Sequence, residues 1–263
     1  MKSRFMLELT TPEVEGYLKR GGDLALLPVG SVEMHGPHLP LGTDTIIGRA
    51  MCLRLAQAAD GLVLPDLAYT WAGATDGFAG TVSLDPGILQ RTVADIAARL
   101  FDMGFHRILI GSFHAPNPRV LYTTARTLFE AGMPVLLVDF GEPLSPRAET
   151  IFPGDKEASL LAAACQILGI SGYTEKDLSY EDTAPPGSPH HERLAKLGTI
   201  GWFFQDARQH ACPHRDVSIP KGLEYIRLQV ESLAAGLGDL GAYVAEAKGL
   251  ANKGFRMTGK GCR

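Results

Sequence analysis

Three short apolar runs, DLALLPVG (residues 23–30), HRILIGSF (106–113) and PVLLVDF (134–140), alternate with segments of helical spacing. No other feature constrains the fold of the chain as much. Apolar runs of this length, closed by Gly or begun by Pro, read as strands buried on both faces. The helical segments are 11–20, with Pro12 suited to the first turn and Gly21-Gly22 to the stop; 45–59; Asp85-Pro86 to about Met103; and about 118–131, with Asn117 as its cap. Strands joined through helices run parallel, and the helices cross back over the sheet. The expected class is therefore α/β with a mainly parallel sheet. Residues 62–70 (LVLPDLAYT) are extended but broken by Pro65, and 156–168 and about 221–248 return to helix. Residues 143–156 read as a loop, and 171–220 read as irregular and turn-rich. No repeat or linker divides the chain, so one domain is expected over 1–250, with the Gly-rich, basic stretch 251–263 as a flexible C-terminal tail.

Composition removes several classes. A net charge of −4 with no basic patch gives nucleic acid and acidic membranes nothing to bind. No stretch approaches the ~18 consecutive apolar residues of a membrane span. The start, MKSRFMLELTTPEVEG, lacks the apolar run of a signal peptide. Cys52, Cys165, Cys212 and Cys262 have no CxxC spacing, so a reduced, cytoplasmic protein is expected, with Cys52 and Cys165 on apolar helix faces in the core. Where strands meet helices there is no Gly-x-Ser-x-Gly elbow, P-loop or Gly-x-Gly-x-x-Gly.

In an open parallel sheet, ligands sit beyond the carboxyl ends of the strands. The residues there are informative. PVGSVEMHGPHLPLGTDT (28–45) places Glu33, His35, His38 and Asp44 after the first strand. An extended chain across Glu33 and His35 points both side chains the same way, and a Gly/Pro-rich turn returns Asp44. Carboxylate and imidazole together are ligands for Zn²⁺, Mn²⁺ or similar ions. A plainer alternative is a polar loop whose Asp44 caps the next helix. His114 follows the next strand and can reach the same pocket, beside Asn117. Glu157, in Gly154-Asp155-Lys156-Glu157-Ala158-Ser159, is a further ligand, a general base, or one charge of a solvated first helical turn. His210-Ala211-Cys212-Pro213-His214 looks like a soft metal site but lacks a fourth ligand at recognisable spacing. It is assigned to structure or surface, as are His190 and His191.

The segment Leu27 to Thr45 closely resembles the signature of the creatininase (creatinine amidohydrolase) family, and Gly80-Thr81-Val82-Ser83-Leu84 resembles a second family segment. The resemblance implies a single three-layer αβα domain, a homohexamer, and two divalent ions that hydrolyse C–N bonds. It implies that Glu33 and His114 bind one ion, that His35 binds the other, and that Asp44 bridges them. Three departures stand out. Gly111-Ser112-Phe113-His114 replaces an Asn-Gly-His pattern; Pro116 stands where creatininase has a metal-binding Glu; and Phe152 stands where it has a substrate-contacting His. Glu157 is then the candidate to complete the second site, and Phe152 and Asn117 are candidates for the pocket wall.

The expected function is a divalent-metal-dependent amidohydrolase, using Zn²⁺, Mn²⁺ or Fe²⁺ to activate a water against a small cyclic amide, formamide or related small molecule. The changes at Pro116 and Phe152 argue against creatinine itself. Two alternatives stay open at this stage: a lyase, isomerase or lactonase on the same scaffold, and a non-catalytic ligand-binding homologue.

Overall fold

The computed structural model describes residues 2–152, 156–210 and 213–251. Strands β1 (Leu24–Val29), β2 (Leu62–Val63), β3 (Arg107–Ser112) and β4 (Val135–Asp139) form one parallel sheet in the order β2-β1-β3-β4. β1 and β3 are in register from Leu24 opposite Arg107 to Val29 opposite Ser112, and β3 and β4 from Ile108 opposite Val135 to Ser112 opposite Asp139. The helices are α1 (Thr11–Lys19), α2 (Thr43–Ala59), α3 (Pro86–Met103), α4 (Pro116–Glu130), α5 (Pro146–Glu149), α6 (Glu157–Leu168), α7 (Pro189–Ala195) and α8 (Ile219–Ala251).

Every residue of β1 is buried, and alternate side chains leave opposite faces of the sheet. Leu24 and Leu26 enter a core made with Ile47, Met51 and Leu55 of α2, Leu160 and Leu161 of α6, and Tyr225 and Leu233 of α8. Ala25, Leu27 and Val29 enter a second core with Tyr17 of α1, Val93 and Leu100 of α3, and Leu121 and Leu128 of α4. The sheet is thus the middle of three layers, as the sequence led us to expect. Each fully buried Leu, Ile or Val contributes ~1.5–3 kcal/mol. Two-sided burial therefore outweighs the ladder donor that Pro28 lacks in the middle of a central strand. The carbonyl of Pro28 accepts from Leu67 N (3.0 Å), so its missing N–H faces the β2 side, where Pro65 has already ended the strand.

Helix ends follow local chemistry. Thr10 and Glu13 form a capping box before α1, and the Asp85 carboxylate accepts from Gly87 N at 2.8 Å before α3. Three expectations need correction. α4 begins at Pro116 with Ala115 as its cap, so Asn117 lies inside the first turn and does not cap it. α5 and α7 lie in stretches that look like turns; Ser145-Pro146 and Ser188-Pro189 are a Ser cap followed by a first-turn Pro, which is also a helix start. α8 begins at Ile219 and continues to Ala251, beyond the expected 248, and residues 252–263 of the expected tail lie outside the described residues. Among the described residues, no helix is long and apolar enough to cross a membrane.

Candidate metal centre

The strand order reverses direction between β1 and β3, and their carboxyl ends open the crevice where open α/β sheets bind ligands. Gly30 makes the first link. A Cβ there would lie 2.5 Å from Thr45 Cα and 2.6 Å from Thr45 N, so only glycine lets the first turn of α2 press on the end of β1. Thr45 Oγ1 donates to Ser31 O (2.9 Å), and Ser31 Oγ donates to the Asp44 carboxylate (2.6 Å). Between these anchors the 31–43 loop folds on itself: Glu33 N donates to Leu41 O (2.9 Å), and Gly36 turns the chain at φ 64°. From the first turn of α4, Asn117 Nδ2 donates to Gly30 O (2.8 Å) and Ser112 Oγ (3.2 Å), fastening the ends of β1 and β3 together.

These constraints bring Glu33, His35, Asp44, His114 and Glu157 into one cluster. His114 Nδ1 lies 2.7 Å from Glu33 Oε1 and 2.9 Å from Asp44 Oδ2. His35 Nε2 lies 3.3 Å from Asp44 Oδ1, 3.7 Å from Glu157 Oε1 and 4.0 Å from Glu33 Oε1. Each imidazole spends its other nitrogen on a backbone carbonyl. His35 Nδ1 donates to Glu33 O and His114 Nε2 to Trp71 O, both at 3.0 Å. That fixes which nitrogen faces the carboxylates, as the second N–H of a metal-binding histidine commonly does. Thr75 Oγ1 orients Glu33 by donating to its Oε2 at 2.6 Å.

The electrostatics call for cations. Burial alone would lower the pKa of His35, but Asp44, Glu157 and Glu33 outweigh it and raise it to about 10. Burial also works against a charged His114, and Asp44 and Glu33 likewise raise it to about 10. Asp44 is held well below the usual carboxylate range: burial pushes it up, but His35 and His114 more than reverse this. His35 Nε2 is buried with no aligned hydrogen bond, although three carboxylates surround it. A buried nitrogen without a hydrogen bond is costly unless something else takes its lone pair. The donors satisfy two metal-sized groupings, Glu33–Asp44–His114 and His35–Asp44–Glu157, each with ligand atoms within 4.8 Å of one another. A divalent ion fits this chemistry.

Other sequence candidates fall elsewhere. Asn117 is fully buried, and its amide fastens the ends of β1 and β3. Phe152 packs against the apolar core, its ring 6.0 Å from that of Tyr225. Cys52 and Cys165 are buried, and burial pushes the Cys165 thiol up to about 11; Cys212 and Cys262 lie outside the described residues. On α7, His190 is exposed and His191 half-buried, its ring 6.0 Å from that of Trp202.

His210 and His214, read from the sequence as structural or surface residues, are half-buried and buried respectively. His214 Nδ1 lies 2.8 Å from His38 Nε2; the His210 ring is 4.9 Å from that of His35. Phe204, His210 and His214 thus lie against the loop that carries Glu33 and His35. Sequence reading also missed Ser31, Thr75 and the Trp71 carbonyl. The first two are ordinary hydroxyls and the third a backbone atom, so no side-chain pattern marks them.

A parallel α/β sheet with a buried carboxylate–imidazole cluster at its switch point defines an α/β protein whose donors suit a divalent metal ion. The family model described as creatininase (creatinine amidohydrolase) matches residues 7–172, more than half of the chain. The chain belongs to the creatininase family. It is 36% identical over 121 residues to a creatinine amidohydrolase of Pseudomonas putida, covering 44% of this chain and 46% of that one. It is 47% identical over 116 residues to a mycofactocin precursor peptide peptidase of Mycobacterium ulcerans, covering 41% and 46%. The matches span less than half the length of these relatives. A crystal structure of creatinine amidohydrolase superposes with a TM-score of 0.71 at 25% identity, covering 91% of this chain and 98% of that one. A creatininase structure with Mn superposes with a TM-score of 0.65 at 25% identity, covering 90% and 98%.

Proposed function

We propose that this chain is a divalent-metal-dependent amidohydrolase that cleaves a C–N bond of a small cyclic amide, formamide or related substrate. One observation carries the reading. Asp44 presents Oδ1 to His35 and Oδ2 to His114, at 3.3 and 2.9 Å, so a single carboxylate belongs to both donor groups. That supports two ions, one held by Glu33, Asp44 and His114 and one by His35, Asp44 and Glu157. When bound, such a pair polarises a carbonyl and acidifies water. Zn²⁺, Mn²⁺ and Fe²⁺ all suit these donors.

The chain's own residues do the rest. Ser31 and Thr75 hold Asp44 and Glu33 in orientation. Glu157 opens the first turn of α6 and keeps 14% of its side chain accessible, against 3–4% for Asp44 and Glu33. It is the carboxylate placed to take a proton from attacking water and pass it to the departing nitrogen. Pro116 and the core-facing Phe152 argue for a substrate other than creatinine. By family resemblance the protein assembles as a homohexamer, and its cysteine usage suits the cytoplasm.

A second reading, cleavage at a peptide amide, is favoured by the 47% identity to a peptidase and by a cleft of about 480 Å³. The cleft is lined in part by His191, Trp202 and Phe204, and Phe204 stacks on His210 beside His35.

The test is hydrolysis of a panel of cyclic amides, formamides and short peptides in ¹⁸O-labelled water. Chelation should abolish turnover, Zn²⁺ or Mn²⁺ should restore it, and the carboxylate product should carry the label. Asp44→Ala should lose activity; turnover by that variant at the normal rate sinks the proposal. Products without label point to a lyase or isomerase.

A further inference from the structure

The two donor groups leave one imidazole at the centre unassigned. By family resemblance, positions 116 and 152 carry a Glu and a His that face the site. Here Pro116 has no donor side chain, and the Phe152 ring lies against Tyr225. His210 enters the same neighbourhood from a different part of the chain. One of its ring nitrogens, a Glu33 oxygen and a His35 nitrogen all lie within 4.8 Å of one another.

His210 is held there by several contacts. Its ring stacks on Phe204, with centroids 5.1 Å apart and planes 8° from parallel, and Phe204 meets Trp202 edge to face at 4.8 Å. Asp206 and Gln209 form a capping box around the short 3-10 turn Ala207–Gln209, and His210 N donates to Ala207 O at 3.1 Å. Downstream, His214 pairs through its backbone with Tyr180 (2.8 and 2.9 Å) and through its ring with His38. Upstream, Phe204 N donates to Ala74 O at 3.2 Å, beside Thr75, so the turn is tied on both sides of His210 to elements around the site.

We propose that His210 is a protein ligand of the metal centre on the His35 side, supplying a donor where Pro116 and Phe152 leave none. The inference rests on the metal-dependent reading above. An imidazole in place of a carboxylate carries no negative charge and is the softer donor. The centre should therefore favour Zn²⁺ over Mn²⁺ more than a carboxylate-completed site would.

The experiment is metal titration of the full chain by calorimetry, with metal content measured after dialysis, for the unsubstituted protein, His210→Phe, His210→Asp, Asp44→Ala and His190→Ala. His210→Phe preserves the aromatic stack while removing the donor. It should bind Zn²⁺ at least about tenfold more weakly, the loss expected when a metal's surroundings are disturbed. His210→Asp should recover binding and shift the preference towards Mn²⁺, and His190→Ala should match the unsubstituted chain. If His210→Phe and His210→Asp both keep full Zn²⁺ affinity and unchanged metal preference, the proposal is overturned while the hydrolase reading stands. If Asp44→Ala also keeps its metal, the hydrolase reading itself fails. Should His210→Phe fold poorly, the metal preference of His210→Asp decides the matter alone.

Discussion

Asn117 shows how much the cluster depends on residues outside it. Its amide ties the carbonyl of Gly30 to Ser112, at 2.8 and 3.2 Å, across the two strand ends that carry the ligands. Asn117→Ala removes one of two donors to the buried Gly30 carbonyl, which also accepts from Thr70 Oγ1 at 2.8 Å, and loses the bond to Ser112; the change costs about 0.5–1.5 kcal/mol. At a few degrees of melting temperature per kcal/mol for a chain of this size, calorimetry should show a drop of about 1–6 °C. An unchanged melting temperature would mean that the amide fastens nothing. In the sequence Asn117 looks like a helix cap, because Asn before Pro at a strand–helix junction commonly is one. Pro116 takes the first helical position instead, and the Asn side chain turns back to β1. The cluster residues Glu33, His35, Asp44 and His114 were readable because local spacing placed them at strand ends. His210 was not, because its approach to His35 depends on the path of residues 171–209, where periodicity is weak.

Among elements, β1 and α2 matter most. The contact of Gly30 with Thr45 sets the angle at which α2 meets the sheet, and with it the position of Asp44. Gly30→Ala should destabilise the fold by about 1–3 kcal/mol through overpacking and should also weaken metal binding. Gly48→Ala, inside the same helix with nothing within 4 Å of the added carbon, should be neutral or stabilising by up to about 1 kcal/mol. Denaturant unfolding of the pair checks this; equal stability would show that the helix does not rest on that contact. The three long strands and their crossover helices were plain from the apolar runs. The two-residue β2 was not, since Pro28 and Pro65 together cut short a ladder that LVLPDLAYT suggests is longer. The short helices α5 and α7 were hidden because a Ser-Pro start looks the same for a turn and for a one-turn helix.

At the scale of the whole molecule, the buried charges link stability to metal and pH. In metal-free protein His35 and His114 have pKa values raised to about 10 from an ordinary 6.5. A raised imidazole pKa adds stability that is fully present below about pH 6.5 and is lost as pH climbs through about 10. Chelated protein should therefore melt at progressively lower temperature across that interval. Metal-loaded protein should melt higher at neutral pH, because an ion that binds only the folded state stabilises it, and its melting temperature should vary less over the same range. Parallel thermal scans from pH 6 to 10 check both; identical curves with and without chelator would show that no ion occupies the cluster.

The most direct measurement is anomalous diffraction from crystals of the full chain grown with Zn²⁺ or Mn²⁺, recorded at the metal edge. Two peaks are expected, one among Glu33, Asp44 and His114 and one among His35, Asp44 and Glu157, with Asp44 between them. Peaks confined to other sites, or none within this cluster at saturating metal, would contradict a metal-dependent hydrolase built on these residues.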